Sequence, residues 1–488
     1  MGPVPALESR ARTCAERLLA AEELLLVSHI DADGLTSAAV ASLALERAGV
    51  PHAVVFEKQL DEEAIADVAA RGYGTVLFTD FGSGQLDEIA EYERAGAFDP
   101  VIADHHQPAD ATTTFHLNPL LEGIDGAAAL SGAGTTYVLG RALAELTEPE
   151  DESNAGCESR GKAGSGSGNR DLAALAVVGA VGDMQATRDG LTGANRAIVK
   201  EGIEAGVLAE RTDLALYGKQ TRPLPKLLEY ASEVRIPGVS NDPQGAVSFL
   251  SNRSFEARTD ERWRRWVELT DEERQELASA LLRRALERGV PPAKAERLVG
   301  TTYTLERERE GTELRDASEF STLLNATARY ERGDVGLAVC LGDREEALER
   351  ARRLLTNHRR NLSAGLETVK RTGVERTEHL QWFDAGEEIR ETIVGIVAGM
   401  ALGTDGVDPD RPIVAFARKN DDEVKVSARG TGRLVGRGLD LSVAVGEAAR
   451  SVGGDGGGHD VASGATIPAD EIKTFLEHAD ALVGEQLT

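Results

Sequence analysis

The chain has 488 residues, a formal charge of −28, 28% charged residues and only 4% aromatics. That length predicts two to four domains with ample core. Cys14, Cys157 and Cys340 are few, scattered and odd in number, which excludes a disulfide framework or a zinc site of cysteines. Only 10 of the 54 basic residues are Lys, so excess acid with little Lys points to a halophilic surface, or to an acidic protein of a GC-rich genome. Strong net charge resists association when salt screens it. It does not exclude a nucleic-acid substrate, because phosphate contacts can be confined to a cleft where metal ions supply positive charge.

Residues 1 to about 147 alternate strand and helix. Strands are predicted at 24–29, 52–57, 75–80, 101–106 and 115–118, and helices near 35–48, 61–70, 84–95 and 132–146. This alternation predicts a doubly wound parallel sheet. The polar, Gly/Ser-rich stretch 148–170 reads as a disordered surface loop, after which a helix over 172–181 leads to Asp183. Thr270 with Glu273 makes a capping box for a helix over 271–288. Before it, Arg262-Trp263-Arg264-Arg265-Trp266 could stack on and pair with a nucleic acid; an amphipathic helix with its Trp face on the core is the favoured reading. An amphipathic helix follows over 343–366, and its Asn357-His358-Arg359-Arg360 is read as a solvated face rather than a phosphate contact. Further on come a hairpin over 412–429, a helix over 442–451, a Gly-rich loop at 453–459 and a last helix near 469–486. No apolar run reaches the roughly 18–20 residues of a membrane span, and residues 1–14 hold no apolar leader; a cytoplasmic protein is expected.

Chemistry gathers at the strand ends. The first strand runs into His29-Ile30-Asp31-Ala32-Asp33-Gly34, the third into Asp80-Phe81-Gly82 and the fourth into Asp104-His105-His106; the helix after the loop ends in Gly182-Asp183. Strand-to-helix junctions are where open α/β sheets bind ligands. So many carboxylates cannot converge without compensation, and two divalent cations are the natural one. Mixed His and carboxylate ligation suits Mn²⁺ better than Ca²⁺. Two such ions clamp the attacking and leaving oxygens of a phosphoryl displacement.

His-x-Asp-x-Asp-Gly, Asp-x-Gly, Asp-His-His and Gly-Asp, in this order, resemble the DHH phosphoesterase superfamily. Gly456-Gly457-Gly458-His459 resembles the glycine-rich signature of the domain that accompanies it in RecJ-like nucleases and nanoRNases, and the run 319–326 resembles the start of the C-terminal part of RecJ-like proteins. The resemblance implies one metal on His29, Asp31 and Asp80 and a second on Asp33, Asp80, His105 and Asp183, with Asp80 bridging two Mn²⁺ (Mg²⁺ as the alternative). It implies that His106 faces the phosphate as donor or acid, and that Asp104 orients a neighbouring imidazole. Arg429 and His459 would take substrate phosphates, with the glycines 456–458 letting backbone N–H groups approach. Asn118 and Ser131-Gly132-Ala133-Gly134-Thr135 would line the cleft or shape its turns.

The expected architecture is α/β: a doubly wound DHH catalytic domain over 1–205, an inserted or linking domain over 206–318, and an α/β DHH-associated substrate-binding domain over 319–488. The expected activity is a two-metal exonuclease on single-stranded DNA or RNA in replication or repair. Likeness to the archaeal nuclease that associates with the GINS complex implies a replisome partner. The rivals are a nanoRNase or 3′-phosphoadenosine-phosphate phosphatase, and a replisome scaffold.

Overall fold

Leu24, Leu25, Leu26 and Val27 are so apolar that the strand they form must be covered on both faces, which is how an all-parallel sheet is built. In a computed structural model, which describes residues 2–147, 168–231, 233–404 and 406–487, they form β1 (Leu24–His29), fully buried up to its last residue. With β2 (His52–Glu57), β3 (Thr75–Thr79), β4 (Asp99–Ala103) and β5 (His116–Leu117) it makes a parallel sheet of order β2-β1-β3-β4-β5. The order reverses between β1 and β3, and the crevice beyond the carboxyl ends of those two strands is where such sheets place their ligands. Most of the stretch expected to form a loop, 148–167, lies outside the described residues.

Helices α1 (Glu8–Leu19), α2 (Ala32–Ala48), α3 (Glu62–Ala70) and α4 (Leu86–Arg94) flank the strands, followed by α5 (Gly132–Thr147), α6 (Ala173–Gly182) and α7 (Gly193–Glu204). Of these, α2, α5 and α6 are buried almost all round. Their Ala, Gly, Ser and Thr residues let the three helices approach closely: a Cβ on Gly140 would stand only 3.3 Å from that of Ala44.

The chain divides into two compact units, Met1–Ala351 and Arg352–Thr488. Within the first, residues between β6 (Leu208–Leu214) and β7 (Val299–Leu305), an antiparallel ribbon, enclose a core of their own around Leu224, Leu228, Trp266 and Leu281. Trp266 is 1% exposed, and its Nε1 donates to Asp213. Arg262, Arg264 and Arg265 pair with Glu268 and Glu273. The Trp–Arg run is therefore structural, although it forms a short 3-10 turn at Trp266–Glu268 instead of an amphipathic helix.

The segment 319–351, expected with the C-terminal domain, packs instead in the first unit. Its helices Ala317–Ala328 and Gly333–Cys340 lie against α2, and the former also meets α6. Apolar contact decides this, because Phe320, Leu323 and Leu324 are buried. On the same helix, Glu319 is 1% exposed and accepts hydrogen bonds from Gln220 N (2.8 Å) and Thr221 Oγ1 (2.7 Å). Burial, helped by the charge of Asp316, pushes its carboxyl from 4.5 up to about 7. The folded state thus favours the protonated form. The contribution of Glu319 to stability is greatest below about pH 4.5 and falls as the pH rises to about 7, by at most about 3 kcal/mol. Glu319→Gln is expected to remove this loss; an unchanged difference in urea midpoint between pH 5 and pH 8 would refute it.

The second unit is a six-stranded mixed sheet. In chain order its strands are β8 (Glu375–Arg376), β9 (Gln381–Asp384), β10 (Ile413–Arg418), β11 (Glu423–Arg429), β12 (Asp455–Gly458) and β13 (Ala462–Pro468), arranged β12-β13-β11-β10-β9-β8. Alternation along β10 splits its faces. Val414 and Phe416 meet the helices Leu441–Ser451 and Ile472–Leu487, while Ile413, Ala415 and Ala417 meet the helix Glu391–Ala401. The expected Gly-rich loop is for the most part the edge strand β12. A Cβ on Gly456 would stand 2.6 Å from that of Ala465 across the ladder, so glycine is what permits the pairing.

Candidate metal centre

Where β1 ends, Asp31 caps α2: its Oδ1 accepts from Gly34 N at 2.9 Å. That leaves Oδ2 facing His29 Nδ1 at 3.3 Å, while Asp80 Oδ2 approaches the same nitrogen to 3.5 Å. A side chain at Gly34 would strike the His29 carbonyl, so the tight turn demands glycine. Burial opposes charge on His29, but Asp31 and Asp80 outweigh it and push the imidazole up to about 11.

Asp80 follows β3 with φ 62°, in the left-handed region that Asp tolerates better than most residues. It is 2% exposed, and its Oδ1 lies 3.3 Å from His105 Nε2 without receiving a hydrogen bond. His105 Nδ1 sits 2.7 Å from the Gly126 carbonyl, which fixes Nδ1 as the protonated nitrogen and aims Nε2 at carboxylates. Besides Asp80, these are Asp33 Oδ2 at 3.8 Å and Asp183 Oδ2 at 3.9 Å.

Asp33 is 2% exposed and bound by the first amides of α5, Gly132 N at 2.7 Å and Ala133 N at 3.0 Å. Burial, then the charges of Asp80 and Asp183, hold its carboxyl well above the usual range. Burial likewise lifts Asp183 to about 6, and Asp80 adds to it. Asp80 is instead held low, because the neighbouring imidazoles of His105 and His29 outweigh its burial.

Among the described residues three groups of donor atoms are each close enough to share one cation: His29, Asp31 and Asp80; Asp33, His105 and Asp183; and Asp80, Asp104, His105 and His106. The fold thus gathers all six side chains that the motifs single out as ligands. An imidazole Nε2 and an orphan Asp80 Oδ1, buried face to face among carboxylates, form a donor set that could hold a cation. Mixed nitrogen and oxygen donors of this kind fit Mn²⁺ or Mg²⁺.

Beside them, Asp104 is fully buried and accepts from His106 Nδ1 at 2.8 Å, from the backbone of His105 and His106, and from Ser83 N. Burial would raise its carboxyl, but the His106 bond outweighs that and holds it at about 2. His106 is exposed, with Nδ1 committed and Nε2 free to meet a ligand.

Asn118 takes the second of its two expected roles: it is fully buried, donating to Ser83 Oγ and the His106 carbonyl and accepting from Leu120 N, and so shapes the turn. Three positioning residues were not foreseen. Gln185 donates to Asp183 Oδ2 and to the Gly126 carbonyl, both at 2.8 Å. Asn325 accepts from Ala32 N, between two candidate ligands, at 3.1 Å. Gly179 leaves no room for a Cβ beside Asp33 and Thr36. Only the spacing of Gln185 from Asp183 was a visible signal.

Arg429, Gly456, Gly457, Gly458 and His459 belong to the second unit. Arg429 ends β11, with Nη1 donating to the Ala428 and Ser463 carbonyls. His459 is exposed at the turn between β12 and β13. Among the described residues, no helix is long and apolar enough to cross a membrane.

Three family models match in sequence: the DHH family N-terminal domain over residues 23–157, the DHH-CID domain over 216–299 and the DHHA1 domain over 379–485. The uncharacterized protein MJ0831 of Methanocaldococcus jannaschii is 28% identical over 470 residues, 95% of this chain and 93% of that one. Among solved structures, RecJ of Thermus thermophilus in complex with Mn²⁺ has a TM-score of 0.60 at 18% identity, over 99% of this chain; the chain spans 55% of that protein's length. CDC45 of Entamoeba histolytica has a TM-score of 0.62 at 10% identity, over 98% of this chain and 97% of that one. At such identities the likeness is one of fold. With all three domain matches in order, the chain belongs to the DHH phosphoesterase superfamily, on a fold like that of RecJ.

Proposed function

We propose that the protein is a two-metal-dependent phosphodiesterase that shortens single-stranded DNA, and RNA as a second substrate, from an end. The observation that carries the reading is the convergence of His29, Asp31, Asp33, Asp80, His105 and Asp183 at the β1/β3 crevice, with one buried carboxylate oxygen left unbonded. His29, Asp31 and Asp80 would hold one cation and Asp33, Asp80, His105 and Asp183 the other. When bound, the ions, Mn²⁺ or Mg²⁺, supply Lewis acidity and neutralise phosphate charge.

The chain's own residues do the rest. Asp104 accepts from His106 Nδ1–H and raises the imidazole above its ordinary value, so the ring is held as an imidazolium whose Nε2 presents a proton to a phosphate oxygen or to the leaving oxygen. Gln185 and the Gly126 carbonyl hold Asp183 and His105 in place. In the second unit, Arg429, His459 and the backbone of Gly456–Gly458 take strand phosphates. The likeness to CDC45 supports a replisome partner such as GINS, and a scaffold role beside or in place of catalysis is the second reading. The acidic, Lys-poor composition fits a halophilic archaeal cytoplasm.

The test is hydrolysis of long end-labelled single strands, with dinucleotides in parallel, in Mn²⁺ and molar KCl. Stepwise shortening of the long strands is expected. Cleavage of dinucleotides alone would assign a nanoRNase, and no cleavage of either would leave the scaffold. Asp104→Asn should slow turnover by about 10²–10⁴-fold, because it no longer holds His106 as the imidazolium. Mn²⁺ affinity should hold; turnover unchanged in this variant would remove His106 from the chemistry.

A further inference from the structure

Several arginines of the middle region are neutralised, as Arg262, Arg264 and Arg265 are by Glu268 and Glu273. Others are not, and three of these stand together. Arg253, just past the helix Pro243–Ser251, and Arg283 and Arg284, on the helix Asp271–Glu287, form no ion pair among the described residues. They converge on one cavity of about 320 Å³, which Ser248, Phe249, Asn252 and Glu287 also line. Three guanidiniums against one carboxylate make this a positive pocket on a chain of charge −28.

The pocket is built, not incidental. Arg253 and Arg284 stack against Phe249, their Cζ atoms 4.6 Å and 6.0 Å from the ring centroid, which restricts both side chains. Arg284 Nε is buried without a hydrogen-bond partner. Arg253 and Arg283 each bond one carbonyl through Nε, to Phe249 O and Ser279 O. Their Nη groups make no hydrogen bond among the described residues.

We propose that Arg253, Arg283 and Arg284 form a phosphate-binding site on the middle domain, filled by a backbone phosphate of a single strand or by the phosphate of a free nucleotide. The stoichiometry of donors decides between anions. A carboxylate has two oxygens and is satisfied by one guanidinium fork, whereas a phosphate offers more acceptors and engages several. The Ser248 hydroxyl adds a donor. The ring of Phe249, stacked on by two guanidiniums, is not a platform for a base. The site is therefore sequence-independent. It uses none of the candidate metal ligands, so it stands whether or not the protein hydrolyses its ligand.

The test measures binding of a fluorescent twelve-residue oligo-dT to the full-length protein in EDTA, where hydrolysis is off. Arg253→Gln/Arg283→Gln is expected to weaken binding at least about 10-fold at low salt. It should also flatten the slope of log K against log salt by about 1.4, roughly 0.7 for each lost single-strand contact. Arg283→Gln alone, at an exposed position, should give about half that slope change and decides the matter if the double variant unfolds on heating earlier than the parent. Titration with dAMP and inorganic phosphate separates the two sources: one saturable site lost in the variant marks a free-nucleotide site, and binding of the strand alone marks a strand contact. Equal affinity and slope in parent and variants would overturn the proposal. So would loss of poly-glutamate binding with oligo-dT unaffected, which would assign the pocket to an acidic protein partner.

Discussion

Asp80→Ala is expected to lower metal-dependent cleavage at least about 10³-fold, equivalent to about 4 kcal/mol of transition-state stabilisation, while the protein remains folded. Asp80 stands between the two donor groups: its Oδ2 faces His29 and its Oδ1 faces His105. In the apo protein Asp80→Ala is expected to cost stability: His29 and His105 favour the Asp80 charge, and alanine at a positive φ costs about 1–2 kcal/mol, partly offset by relief of repulsion with Asp33 and Asp183. Asp80→Asn avoids that cost, since Asn tolerates the left-handed region. Thermal unfolding with and without Mn²⁺ checks this. The parent should gain stability on metal addition and both variants should gain much less; cleavage retained in either would remove Asp80 from the site.

Gly132→Ala carries the second-largest expected effect, although glycine bears no chemistry. A Cβ there would collide with Asp80 Oδ1, and the Gly132 amide donates to Asp33 Oδ2 at 2.7 Å. One added methyl must therefore displace α5, the bridging carboxylate, or both. We expect a loss of about 10²-fold in activity with weaker Mn²⁺ affinity by calorimetry, and a stability cost of about 1–3 kcal/mol from overpacking. Gly134→Ala is the comparison. It would crowd Leu130, Asn195 and Ile198, with no candidate ligand among its nearest atoms, so it should destabilise while leaving metal affinity closer to the parent's. If both variants bind Mn²⁺ like the parent, the close approach of α5 to Asp80 plays no part in holding the metal.

Local signals carried far in the first part of the chain. Leu24–His29 and His52–Glu57 are strands at the residues foreseen, because short apolar or β-branched runs bounded by polar residues have few alternatives once helices of opposite periodicity flank them. The polar motifs at the strand ends were legible for the same reason: each follows a short apolar run. Signals failed where the deciding partner is distant in sequence. β6 reads Leu-Ala-Glu-Arg-Thr-Asp-Leu, which has no strand alternation, and is a strand because β7, some 90 residues later, pairs with it from Leu208–Leu305 to Leu214–Val299. The glycines of β12 looked like a loop, since nothing in Asp-Gly-Gly-Gly favours a strand; β13 supplies the ladder that makes it one.

By itself, then, the sequence determined the parallel α/β core and the residues that stand at its strand ends, since burial and periodicity are properties of neighbouring residues. Tertiary structure alone decided how those residues act on one another. It turned Asp80 into the φ 62° bridge between His29 and His105. It enlisted α5 amides for Asp33, and it buried Asn118 as a support. It also brought Arg253, Arg283 and Arg284, which form no ion pair among the described residues, around one pocket. Those outcomes rest on contacts between elements tens to hundreds of residues apart, where a hydrogen bond or a collision depends on distances of a few tenths of an ångström that no local pattern encodes.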